Sequence, residues 1–311
     1  MILRYYALRR GVWEVFMTFK KSAEPIRVLL YALFAAALLF LRFVGDNGEP
    51  LGLALVYALG NAGLSPYIAA VCYACTAFVF FEWQQFLLYV LQSVLLCVGF
   101  LIQARLRKTN ARAHFLPPLI ALALGLVFFA AFAPFTPYVL PFRFTLPTIA
   151  QRVLIAAAVF LSAAVFSVGI RALLQKCLQC RLRSEELVFC ILFFVFTGVG
   201  LCRFLGINAY LGASFFILLT FSCVTKDATT LVCAFTLSLP PLLAFGVSPE
   251  RFFLYGIVLT LFQKSGRLAG ACAFLAVFFA YGYVDGIYTF ETSALVQSVL
   301  SALLPVLLFI L

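Results

Sequence analysis

Cys177 and Cys180 stand in KCLQCR with the CxxC spacing of redox pairs and of half a zinc site. The adjacent Lys176 and Arg181 would favour a thiolate there, but no second close pair lies in a loop to complete four ligands. Their basic surroundings read as a cytoplasmic loop, where thiols stay reduced, so the pair is incidental on this reading. Cys72 and Cys75 repeat the spacing inside an apolar run, where cysteine packs as a small hydrophobe. The single histidine, His114 in ARAHFLPP, cannot build a histidine-rich metal site and reads as an interfacial residue. GxSxG, GxxxxGK[ST], HExxH and a facing carboxylate pair are all missing from the sequence. The sequence therefore assigns no catalytic residue, no cofactor and no metal site.

A polar path is the other chemistry these residues could support. Asn61 and Ser65 lie in GNAGLSP, Asn208 in GINAYLGASF, and Thr225 and Lys226 in CVTKDATT, each beside or inside an apolar run. Broken helices at such places expose backbone and side-chain polar groups to solutes in transporters. Carboxylates within the runs are scarce, which leaves few groups for a proton relay. Lys226 and Asp227 read more simply as a solvated turn. Gly60–Pro66 joins glycines to a proline and can break a helix or turn a re-entrant hairpin. The doublet Pro240–Pro241 should distort its helix by removing donors, and the glycine-containing stretches 198–200, 206–212 and 266–274 suit close helix approach.

The elements that would position these residues follow from composition. Hydrophobic residues make up 65% of the chain and charged residues 11%, with mean hydropathy +1.13, whereas soluble domains are about 25% charged. So apolar a surface would aggregate in water, and hydrocarbon removes the difficulty. The expected fold is an all-α polytopic transmembrane helical bundle of 10–12 membrane segments. Apolar runs fall near 28–44, 50–61, 64–81, 86–103, 116–134, 147–170, 187–204, 208–224, 228–247, 252–263, 268–284 and 292–311. A crossing needs roughly 20 residues, so 50–61 and 252–263 are candidates for half-helices. Residues 1–27 form a separate basic, amphipathic segment that can lie on the membrane surface, followed by a multi-pass domain over 28–311. No cleavable secretion signal is expected at the N-terminus.

The net charge of +11 would suggest nucleic acid in a soluble protein, but its distribution points to membrane orientation instead. With twelve crossings and a cytoplasmic N-terminus, the outer connections keep only Arg42, Arg143, Arg152, Arg203 and Arg251 of the 22 basic residues. That bias predicts both termini in the cytoplasm; the expected setting is the cell membrane, with the lipid bilayer as partner and no nucleic acid.

GLSPYIAAVCYA at 63–74, GRLAGACAF at 266–274 and FETSALVQSVLSALLPVLLFIL at 290–311 resemble the membrane region of the stage II sporulation protein E family. The resemblance covers most of the chain loosely and these three pieces more closely. It implies a roughly ten-span membrane region that serves localisation and assembly, as a homo-oligomer or with a cytoplasmic sporulation or division partner. In that family a metal-dependent phosphatase domain follows the membrane region. This sequence ends at Leu311 without the metal-binding aspartates, so the resemblance carries over no catalytic residue.

The sequence thus points to a non-catalytic membrane scaffold or assembly module, with a small-solute transporter and an integral membrane enzyme acting on a lipid-linked substrate as alternatives. An impermeant thiol reagent applied to intact cells should leave Cys177 and Cys180 unlabelled until the membrane is permeabilised. Labelling from outside would reverse the orientation.

Overall fold

The computed structural model describes residues 23–44, 50–80, 83–108, 116–132, 146–176, 184–225, 229–284 and 292–310. Residues 1–22, Cys177, Cys180, His114, Lys226 and Asp227 lie outside these stretches. The described residues form an all-α bundle with no strand among them.

In chain order the helices are α1 (Ala23–Arg42), α2 (Leu51–Asn61), α3 (Pro66–Thr76), α4 (Trp83–Lys108), α5 (Leu116–Phe132) and α6 (Leu146–Lys176), then α7 (Ser184–Leu205), α8 (Ile207–Thr225), α9 (Thr229–Phe245), α10 (Glu250–Phe262), α11 (Arg267–Val284) and α12 (Thr292–Ile310). Within them Phe86–Arg107, Ala150–Leu174, Glu185–Leu205 and Ile207–Val224 are long and apolar enough to cross a membrane, and most of the rest are shorter apolar helices. The expected run at 64–81 divides into α3 and a 3₁₀ turn at Ala77–Phe80.

Residue pairings fix the direction of each helix. Gln92 of α4 meets Gly125 of α5 while Gly99 faces Ala121 and Pro117, which makes the pair antiparallel. Phe166 of α6 meets Phe193 of α7 and Gly169 meets Phe189, another antiparallel pair. Phe40 of α1 packs against Gly200 and Phe204 of α7, and just past the end of α1 the Phe43 ring tilts against Phe204 and Arg203 reaches Val44, so α1 and α7 run parallel. The result is strict alternation. One end of the bundle, here the upper end, carries Arg42, Arg203 and Arg251; the lower end carries Arg105, Arg107, Arg171, Lys264 and Arg267.

α2 and α3 depart from the full-length pattern. At 11 residues each they reach about 16 Å, against about 30 Å of hydrocarbon. Two rulers place their turn. Arg42 lies over Tyr89 at the hairpin's upper edge, while Ser65 N–H donates to Tyr31 Oη and Gly60 abuts the Phe100 ring at its tip. Tyr31 precedes Arg42 on α1 by as many residues as Phe100 follows Tyr89 on α4, so both rulers set the tip about 16 Å below that edge. α2 is apolar all round because it is enclosed all round: Leu51–Val56, Ala58 and Leu59 are buried among α1, α3, α4, α5 and α6.

Two hydrophobic groups result, one built on α1–α6 with Phe193 of α7, the other on α8–α12 around Phe215, whose ring meets Phe252, Tyr255, Phe274 and Phe278. α7 joins them. Gly198 and Gly200 are two positions apart, about 200° around a helix, so they face opposite ways. A Cβ at Gly200 would overlap the Phe40 carbonyl of α1, and one at Gly198 would stand 2.7 Å from the Pro240 ring of α9. Between lipid-bathed helices, where the hydrophobic effect gives no net attraction, such close backbone approach supplies the association energy.

Pro240 and Pro241 lie inside α9 without ending it. Pro241 cannot donate to the Leu237 carbonyl, and Tyr210 Oη donates to that carbonyl instead, at 3.2 Å. The helix is held by a hydrogen bond from α8 where its own is lost.

The glycine contacts predict a contrast. Gly200→Ala should destabilise the detergent-solubilised protein by about 1–3 kcal/mol. Gly270→Ala, whose Cβ would meet only Leu259 at an ordinary 3.8 Å, should shift the unfolding midpoint little or upward. Equal effects would remove α7 from its joining role.

Candidate functional site

The most polar buried cluster lies at the upper edge of the α2–α3 hairpin. α1 ends at Arg42, where a cation complements the helix's C-terminal dipole, and the guanidinium sits 5.5 Å from the centroid of the Tyr89 ring. Tyr89 stacks on Tyr73 at 4.5 Å and 15°. Tyr73 Oη donates to Gln92 Oε1 at 2.8 Å, and Gln92 Nε2 donates to the Gly125 carbonyl at 3.0 Å. Ser93 Oγ donates to Ala70 O at 3.0 Å and Thr76 Oγ1 to Tyr73 O at 2.6 Å. Tyr73, Tyr89 and Gln92 are at most 2% exposed. The cluster therefore ties α1, α3, α4 and α5 together in a region where an unmatched polar atom would be costly.

Its chemistry is that of a clamp. A guanidinium, two phenols, two hydroxyls and an amide supply its donors and acceptors, and these hydrogen bonds engage the Tyr73 phenol, the hydroxyls and the amide with one another and with backbone carbonyls. Among the described residues no group of three His, Cys, Asp or Glu converges. Cys72, Cys97, Cys190, Cys202, Cys223 and Cys233 are free and buried or half-buried, and Cys75 and Cys272 are free and exposed.

The described polar-path candidates do not gather. Asn61 and Ser65 share the α2–α3 turn, both half-buried. Asn208 belongs to α8 in the other hydrophobic group and donates through Nδ2 to Gln297 Oε1 of α12 at 3.0 Å. Thr225 ends α8, with its side chain outside the described set, as is the whole of Lys226. Two cavities stand out near these helices: an enclosed space of about 10 Å³ by Ser222 and Gln263, and an open groove of about 450 Å³ between α8 and α12. Neither reaches Asn61 or Ser65.

Charged residues divide by end. The described upper arginines are all buried or half-buried: Arg152 lies 5.6 Å from the Phe129 centroid, Arg251 5.3 Å from that of Tyr281, and Arg203 donates to Val44 O at 3.0 Å. At the lower end Arg105, Arg107, Arg171, Lys264 and Arg267 are all exposed.

The hairpin turn has a counterpart. Gly63-Leu64-Ser65-Pro66 and Gly246-Val247-Ser248-Pro249 each place a left-handed glycine (φ 92° and 69°) after one helix and a Ser-Pro before the next. The left-handed backbone favours glycine at both. The first turn points to the lower end and the second to the upper end.

Tyr73→Phe should lower stability by about 1 kcal/mol, because it leaves the Gln92 acceptor buried without its donor. Gln92→Leu should then cost less in the Tyr73→Phe background than alone, measured as a coupling energy from four unfolding curves. Additive effects would mean the two side chains do not interact.

No family model, curated protein or solved structure matches the chain.

Proposed function

We propose that the chain is a non-catalytic membrane scaffold or assembly module of the cell membrane, with its lower end in the cytoplasm. One observation supports this above the others: the buried polar side chains Tyr73 and Gln92 are used to close helix–helix contacts, and of the described candidates for a solute path Asn61 and Ser65 lie at the α2–α3 turn while Asn208 pairs across α8 and α12. The exposed cations of the lower end support the orientation through the positive-inside bias. The resemblance to the membrane region of the stage II sporulation protein E family supports a role in placing a cytoplasmic partner at a sporulation septum.

Transport is the second reading, favoured by the half-length α2–α3 pair and by the recurrence of its turn in opposite orientation, a feature of transporters built from inverted repeats. Flux separates the two. Proteoliposomes loaded with a pH dye and a panel of small solutes should leak no faster than protein-free vesicles, whereas saturable flux of any solute would replace the scaffold reading with transport. In a spore-forming host, a fluorescent fusion should concentrate at the septum; uniform membrane fluorescence would remove the sporulation assignment.

A further inference from the structure

α8 and α12 run parallel, in matched register: Asn208 pairs with Gln297, and a turn further down Gly212 faces the Ser301 carbonyl, which a Cβ would approach to 3.3 Å. Pro305 cannot donate to that carbonyl within α12, so the bare Gly212 packs where the helix's own hydrogen bond is missing. On the outer side of this contact the two helices bound an open groove of about 450 Å³. Ala209, Ala213 and Phe216 form one wall, and Leu300, Leu304 and Leu308 the other. Phe216 and the three leucines are 38–56% exposed, so the groove opens on the perimeter of the bundle.

Its dimensions and its mouth identify the occupant. The groove is as narrow as one helix pair, and its volume falls in the range of about 300–1,000 Å³ typical of small-molecule sites. From Gln297 to Leu308 α12 rises about 16 Å, close to half of the roughly 30 Å hydrocarbon core. That is the reach of one acyl chain in one leaflet. The mouth lies at the upper end, within the first two turns of α8 and α12. There the Asn208–Gln297 bond uses one donor and one acceptor, leaving three amide N–H donors and one amide carbonyl oxygen with no other partner among the described residues. Exchanging O and N in both amides leaves the same set. A glycerol ester carbonyl can accept from a free N–H, and a headgroup hydroxyl can donate to the free carbonyl.

We propose that this groove binds one acyl chain of a glycerophospholipid from the upper leaflet, with the ester region at Asn208 and Gln297. The site rests on the membrane location and is independent of whether the chain scaffolds or transports.

The test uses the full chain in nanodiscs of phosphatidylethanolamine and phosphatidylglycerol with a trace of phospholipid carrying a diazirine on its acyl chain. Photo-adducts mapped by mass spectrometry should be at least about five-fold denser on the groove faces of α8 and α12 than on the lipid-facing stripe of α6 at Leu154 and Leu161, which are 70% and 67% exposed. Ala213→Leu fills the groove from an exposed position and should reduce that density to the α6 level; Ala209→Leu, also exposed, is a second filler should the first not fold. Combined Asn208→Ala and Gln297→Ala should reduce it as well. Groove labelling no denser than α6, or labelling unchanged by either filler, overturns the proposal. So does a dimer in the nanodiscs that the fillers dissociate, since the groove would then belong to a second copy.

Discussion

Hydrocarbon offers no hydrogen bonds, and every polar atom placed in it must find a partner within the protein. Many hydroxyls of the described helices meet that constraint locally. Ser162, Ser167, Thr197, Thr220, Ser222, Thr236, Ser238 and Thr260 all donate to a carbonyl in the preceding turn of their own helix, which silences a hydroxyl without any tertiary contact. Other polar groups join helices, among them Tyr73 with Gln92, Gln92 with Gly125, Ser93 with Ala70, Tyr210 with Leu237 and Asn208 with Gln297. Since lipid and leucine are equally apolar, these bonds and the glycine crossings hold the helices together.

Seen this way the two irregular features have one explanation. A half-length helix such as α2 can sit in the middle of a membrane protein only if other helices enclose it, and five do. Where Pro241 leaves the Leu237 carbonyl of α9 without its own donor, Tyr210 of α8 supplies one. Pro240, the neighbour of Pro241, presents its ring to Gly198 of α7. Breaks in helices are often read as marks of a solute path; here neighbouring helices close on them, Tyr210 at the Leu237 carbonyl and Gly212 at the Ser301 carbonyl, and this underlies the scaffold reading.

Much of the architecture was readable from the apolar runs, because a span must be uniformly apolar whatever its neighbours are. The run at 116–134 became α5 and that at 208–224 became α8 with shifts of one or two residues. GNAGLSP announced the hairpin turn through its glycine and proline. Of the glycines expected at close approaches, Gly198, Gly200 and Gly212 are there, whereas Gly206 and Gly266 take left-handed turns in open space. The 64–81 run hid the end of α3 at Thr76, since apolar residues suit an α-helix and a 3₁₀ turn alike. The clamp was harder to see. Gln92 and Ser93 are a visible polar doublet in YVLQSVLL, but only the fold brings Arg42 and Tyr73 beside them. Asn208 was visible as a polar residue; its partner Gln297, 89 positions away, was not.

Hydrogen exchange on the protein in lipid nanodiscs tests most directly whether the interior is packed shut. Amides of α2 from Leu53 to Leu59 and of α4 around Gln92 should be among the slowest in the chain, surviving hours of deuterium exposure, while those near Arg105 at the lower end exchange sooner. Exchange of the α2 amides within minutes, as fast as at the ends of α4, would mean that water reaches the centre of the bundle and would contradict the account.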